Sequence, residues 1–265
     1  MNKKKYTIAQ ILPALNNGGV ERGVVEISKA LVDNNFRSIV ISSGGYMVPQ
    51  IIRNGGIHYE LDVHTKNPLK WPKIRSELKS VLESENVDLI HFCSRAPAWI
   101  GVPLGAILDI PIITSVHMRF RKSNVFKKYY NSILTKGNFI IAISKHIERS
   151  VKNSFPNVSG KIKVIHRGVD LDLFNPSKIN PARIISQSKH LNLKDNVPVI
   201  IMAARPAMWK GYQVLIKALS KVKHNFQCVL IGAGDGNQKF QNILIKKIIQ
   251  SKLETKIKLV NSTRD

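Results

Sequence analysis

A chain of 265 residues with 43% hydrophobic and 22% charged side chains is long enough for one large or two ordinary domains, and its apolar content excludes disorder as the default state. Lys and Arg number 41 against 17 Asp and Glu, a formal charge of +24, which favours phosphate-rich partners without choosing among them; a solvated basic surface would carry the same excess. No run approaches the roughly eighteen apolar residues of a membrane-spanning helix, and the two cysteines, Cys93 and Cys228, are too few for a disulfide scaffold.

The start, Met1 to Lys5, leads into an apolar stretch from Ile8 to Leu15 that Gln10 and Pro13 interrupt. It is too short and too broken for a signal peptide, so any membrane contact is expected to be peripheral. Short β-branched runs then alternate with longer amphipathic stretches, the pattern of parallel βαβ units. Strands are predicted at 6–12, 37–42, 57–61, 87–93, 112–115, 139–143 and 162–165. Between the first two, Val20, Val24, Ile27 and Leu31 share one helical face, which is expected to pack on the sheet. Ile74, Leu78 and Val81 mark a later helix, and Ser144 is a predicted N-cap for a helix from Lys145. Cys93 and Cys228 fall in apolar runs, where a thiol behaves as a small core hydrophobe, and this favours a reducing, cytoplasmic compartment.

After Asp170 comes a stretch with Pro176, Pro181 and little strand character, and a fresh alternation begins at Val197. The expected organisation is an N-terminal Rossmann-like domain over 1–175, a linker over 176–196 and a second, partial Rossmann-like domain over 197–265. The last reads strand 199–203, helix 211–222, strand 227–231, helix 238–253 and strand 257–260.

Three glycine-bearing turns follow strands. In Asn17-Gly18-Gly19-Val20-Glu21-Arg22, the glycines let backbone approach a ligand and the helix N-terminus presents unpaired N–H groups to an anion. It lacks the third glycine and the acidic strand end of a dinucleotide fingerprint, and a plain tight turn remains open. In Ala204-Arg205-Pro206-Ala207-Met208-Trp209-Lys210-Gly211, two cations bracket the turn and could neutralise one diphosphate; solvated surface charges are the plainer reading. In Gly232-Ala233-Gly234-Asp235-Gly236, the glycines sit at the carboxyl end of a strand, where open α/β sheets bind ligands. Histidines 91, 117 and 166 fall at or beyond strand ends; their spacing suggests no zinc site, and His117 is favoured as functional because its apolar strand should be interior.

Taken in order, Gly18 to Arg22, His91, Ser115-Val116-His117, Ile143-Ser144, Ile165-His166-Arg167-Gly168-Val169-Asp170, Arg205 with Lys210-Gly211, and Gly232-Ala233-Gly234 resemble the retaining GT-B glycosyltransferases. These family 4-like, group 1 proteins build lipopolysaccharide, glycolipids, trehalose, sucrose and glycogen-like products. No single piece is specific, but the ordered set is fairly so and runs across the whole chain. The resemblance implies an α/β fold of two Rossmann-like parallel-sheet domains, the first on the acceptor side and the second holding a nucleotide-sugar donor. It implies that Gly18 and Gly19 lie over the donor phosphates, with Gly232 and Gly234 also on the donor side. His117 would contact the transferred sugar, and Arg205 and Lys210 would stabilise charge on the departing nucleoside diphosphate. No metal and no cofactor are expected, the nucleotide sugar being a substrate, and retention would need no protein nucleophile. Family members carry a spaced glutamate pair beyond the strand matched by 257–260. This sequence has none there, so the second domain is expected to be incomplete and the chain alone to have little activity, with a separately encoded C-terminal segment as a partner.

The acceptor has one local clue in Arg119, Arg121, Lys122, Lys127 and Lys128, interleaved with Phe120, Phe126, Tyr129 and Tyr130. Cations among aromatics suit an anionic lipid headgroup and an anionic membrane surface. Together with the resemblance, they imply a lipid or polysaccharide acceptor and an expected place on the inner face of the membrane, in cell-envelope assembly. The same mixture could stack on single-stranded nucleic acid, which is not the expected partner, or could be a solvated amphipathic helix. The alternative to a transferase is a non-catalytic remnant that binds only nucleotide or membrane.

Overall fold

The computed structural model describes residues 5–16, 18–65, 67–120 and 124–262, and the chain divides after Phe174 into two compact units. The first alternates β1 (Thr7–Ile11), α1 (Gly19–Asp33), β2 (Arg37–Ser42), α2 (Val48–Arg53), β3 (Ile57–Glu60), α3 (Trp71–Ser84), β4 (Leu89–Phe92) and α4 (Arg95–Leu108). It continues through β5 (Ile112–Val116), α5 (Val125–Ser132), β6 (Phe139–Ala142), α6 (Lys145–Ser154) and β7 (Ile162–Val164).

These strands form one parallel sheet in the order β3-β2-β1-β4-β5-β6-β7. Each predicted strand lies where its β-branched run placed it, because strands buried on both faces need continuous apolar side chains. On one face, Ile11, Ile90, Phe92, Ile140 and Ala142 pack against Leu78 of α3, Leu104 of α4 and Val151 of α6. Ser144 caps α6, its hydroxyl oxygen accepting from the Ile147 N–H at 3.2 Å.

The other face carries a different chemistry. Register pairs Gln10 with His91, His91 with Ile113, and Ser115 with Ile141, so these side chains rise on the α1 side of the sheet. Val24, Val25 and Ser28 of α1 are buried there, and the Ser28 and Ser38 hydroxyls meet at 2.8 Å. Ile27 departs from the predicted face: it is 43% exposed, because α1 covers only the β1, β2 and β4 side and Ile27 looks over its edge into a cleft. The strand order reverses between β1 and β4, the switch point at whose carboxyl edge open α/β sheets hold ligands.

The second unit comprises α7 (Pro181–His190), β8 (Val199–Ala203), α8 (Tyr212–Leu219), β9 (Gln227–Ile231), α9 (Gln238–Gln250) and β10 (Ile257–Val260). Its parallel sheet runs β10-β9-β8. Tyr212, Ile216, Leu230, Phe240 and Leu244 form its core, the Tyr212 and Phe240 rings meeting edge-on at 5.5 Å.

The segment 176–196, predicted as a linker, is ordered and clusters with this unit. Pro181 occupies the first turn of α7, where its missing N–H costs nothing, and Asn180 caps the helix from its side-chain oxygen. Beyond α7, the Gln227 amide bonds Lys194 through both its donor and its acceptor and also donates to the Val197 carbonyl, tying the segment to β9.

Candidate functional site

In the first unit, the carboxyl ends of β4 to β7 and the exposed flank of α1 enclose a cavity of about 410 Å3. Its walls are apolar: Val20, Val24, Ile27 and Ala30 from α1 face Ile141, Ile143 and Ile165 from the sheet. Its polar groups include His91, Ser115, His117, His166, Arg167 and Asp170 together with side chains at the far end of α1.

His91 is 7% exposed, with Nε2 at 2.6 Å from the Ser115 hydroxyl. Burial pushes its pKa down to about 4, so the ring is neutral at physiological pH. Cys93 lies beneath it with Sγ 3.8 Å from His91 Nε2, and burial lifts the thiol to about 12, which makes it inert rather than nucleophilic.

His117 stands just past β5, an interior strand. Arg167, three residues past β7, places Nη2 at 3.2 Å from His117 Nδ1 and donates from Nη1 to the Gly19 carbonyl. Burial, and then the Arg167 cation, bring His117 down to about 4. Among the described residues His117 Nε2 is buried with no hydrogen-bond partner. The site therefore offers a neutral imidazole with one unused nitrogen, a fixed cation and an apolar wall, a combination able to hold a polar substrate group against an apolar one.

Of the predicted Gly18 and Gly19, Gly19 meets the site through its carbonyl, which accepts from Arg167, while Gly18 adjoins Glu21. Gly18 is the N-cap of α1 in extended backbone, and Gly19 begins the helix. Asn17 lies outside the described residues. His166 lines the same cavity, whereas His117 alone among the predicted histidines meets a cation.

In the second unit, two turns adjoin at the carboxyl edge of the sheet. Arg205 and Lys210 flank the turn from β8 to α8, where Gly211 takes φ +97 as the helix cap. Both cations are exposed, and Lys210 Nζ sits 4.5 Å over the Trp209 ring. Gly232 has φ +84, and a side chain there would strike the Ala204 carbonyl. At Gly234 a Cβ would meet the Asn261 N–H at 2.9 Å. Packing thus already demands both glycines, Gly234 against the chain after β10 and Gly232 against the first turn, and the Gly232 contact is what brings the second turn beside Arg205.

The basic segment lies apart in the fold. Arg119 is exposed beyond β5, and Lys127 and Lys128 ride on α5, capped by Asn124; Arg121 and Lys122 lie outside the described residues. Lys128 Nζ is 5.9 Å from the Phe155 ring centre. Trp99 of α4 stacks on Tyr130 and touches Tyr129, so the aromatics of α5 are anchored at one edge while Val125 and Phe126 stay exposed. The role of Arg167 is not evident from the sequence, where it is a cation three residues beyond β7.

Residues 17–173 match Glycosyltransferase Family 4, and residues 184–262 match Glycosyl transferases group 1. An uncharacterized glycosyltransferase of Methanocaldococcus jannaschii is 25% identical over 240 residues, 82% of this chain and 60% of that protein. Spore coat protein SA of Bacillus subtilis is 24% identical over 169 residues, 63% of this chain and 43% of that protein. The chain spans about half the length of these curated relatives. A glycosyltransferase from Rickettsia africae has a TM-score of 0.86 at 35% identity, covering 99% of this chain and 70% of that one. Anabaena HepE, solved with UDP-glucose, has a TM-score of 0.78 at 20% identity over 97% of this chain and 69% of its own, a likeness of fold.

Proposed function

Because the chain belongs to Glycosyltransferase Family 4 and has the α/β architecture of its GT-B members, we propose that it moves a sugar from a nucleotide-sugar donor to a cell-envelope polysaccharide or glycolipid acceptor. The observation that carries this reading is His117: a neutral, largely buried imidazole with an unpartnered Nε2, in a cleft at the switch-point edge of a parallel sheet. A sugar hydroxyl is the kind of group such a nitrogen binds. In the second unit, Arg205 and Lys210 would face the phosphates of the leaving nucleoside diphosphate. Cations fixed before reaction act on charge as it develops, so they favour the transition state over the bound donor. Gly18, Gly19, Gly232 and Gly234 would allow the donor close to backbone.

The reaction is proposed to retain configuration and to need no divalent metal, the two cations carrying the leaving-group charge. The acceptor is proposed to approach at an anionic membrane surface through Arg119, Lys127 and Lys128; no helix among the described residues is long and apolar enough to cross a membrane. The test is transfer of radiolabel from a panel of nucleotide sugars to envelope lipid and polysaccharide extracts, with EDTA present and absent. Labelled acceptor that His117→Ala abolishes is expected. Donor binding without transfer under every condition would favour the non-catalytic reading.

A further inference from the structure

Gly23 lies inside α1, where glycine destabilises a helix against alanine and no turn asks for it. Its neighbour explains it. A Cβ on Gly23 would sit 3.3 Å from the Arg167 guanidinium carbon, and a Cβ on Gly19 would sit 3.1 Å from Arg167 Nη1. The two glycines are four residues apart, on one face of the helix, and leave a flat seat for a planar cation.

From that seat the guanidinium points two donors in fixed directions, one to the Gly19 carbonyl and one to His117 Nδ1 at 3.2 Å. A guanidinium has no acceptor and does not lose its proton, so the nitrogen facing it must offer a lone pair. We propose that Arg167, seated on Gly19 and Gly23, is a positioning residue that locks His117, in the wall of the cleft, as the neutral tautomer with its proton on Nε2. The buried Nε2 is then a hydrogen-bond donor to whatever oxygen enters. His91 is the other titratable ring that faces His117, with Cys93 behind it, and neither supplies a fork. That the incoming oxygen belongs to a sugar rests on the proposed transferase reading; the tautomer does not.

Arg167 is exposed, so its replacement should leave the fold intact. The experiment is two-dimensional 1H–15N NMR of the imidazole rings in the full chain, with His117 assigned by the signals missing from His117→Gln. In the wild type, Nδ1 should give the shift of an unprotonated nitrogen and Nε2 that of a protonated one down to acidic pH. Arg167→Ala should mix the tautomers and raise the titration midpoint by roughly one unit, burial holding the rest down. Arg167→Lys keeps a donor-only cation beside the ring, so the midpoint should stay low. Gly23→Leu should displace the guanidinium and reproduce the mixing without touching Arg167. A wild-type ring protonated on Nδ1, or a ring unchanged in both Arg167→Ala and Gly23→Leu, would overturn the proposal. These readouts need no substrate. Loss of sugar transfer in every variant and in the wild type would count against the transferase reading alone.

Discussion

Arg205 and Lys210 bracket one turn, and each is exposed enough to reorient toward an anion without leaving the fold. Changing either to Ala should weaken nucleoside diphosphate binding by about 1.5–3 kcal/mol, the worth of a charged hydrogen bond. Calorimetry decides, and equal affinity in wild type and both variants would remove the pair from the donor site. His91 makes a different prediction. Its folded pKa is near 4 against 6.5 for the free side chain, so the fold prefers the neutral ring. That preference is fully present above about pH 6.5 and is lost as pH falls toward 4, because the unfolded chain takes up the proton first. The loss should approach about 3 kcal/mol for this residue, an order-of-magnitude figure. Urea titrations at pH 7.5 and 4.5 should show it, and a His91→Gln variant should lose that share of the pH slope. A slope identical to the wild type's would mean that His91 is not the group responsible.

At the scale of single elements, α5 presents Val125 and Phe126 to solvent beside Lys127 and Lys128, and no acidic side chain occurs between Asp109 and Glu148. It should bind anionic vesicles, weakly and less so as salt rises, since exposed charges are screened over about 10 Å at 0.1 M. Neutralising Arg121, Lys122, Lys127 and Lys128 should abolish sedimentation with the vesicles, whereas undiminished binding would place the membrane surface elsewhere. How far such elements could be read in advance depended on their periodicity. The strands of both sheets were legible because each is a short β-branched run between turns, and α6 because Ser144 announces it. The α4 helix was not: Ala98, Ile100, Gly101, Leu104 and Gly105 are all buried and Pro103 lies inside, so no polar face alternates with an apolar one. Prolines hid α7, since Pro181 reads as a breaker until it is seen to occupy a first turn. The site divided the same way. Glycine turns and strand-end histidines were visible as patterns, but the meeting of Arg167 with His117 and Gly19 joins residues far apart in sequence, which no local period encodes.

For the molecule as a whole, the two units differ in how completely their sheets are covered. In the first, β2, β1, β4, β5 and β6 each have a strand on both sides, and the buried cluster on the α3, α4 and α6 face runs from Ala9 to Ile162. Among the described residues of the second, only β9 has neighbours on both sides; β8 lies at the edge, with Val199 and Ile201 41% and 57% exposed. Exposed apolar side chains contribute little burial energy, and an edge strand leaves backbone groups to water, so local opening there is less costly than in the seven-stranded sheet. The second unit should therefore lose amide protection first. Native-state hydrogen exchange in rising denaturant should show Val199 to Ala203 exchanging earliest among the strands, followed by β9 and β10, with Ile90 to Phe92 and Ile140 to Ala142 protected longest. Because Gly232 packs on Ala204, opening β8 would also loosen the turn that carries Arg205, so a ligand bound by Arg205 and Lys210 should slow exchange in β8 and β9 more than in β4. Uniform protection across both sheets, or earlier exchange in β4 and β6, would show that edge exposure does not set the order of unfolding in this chain.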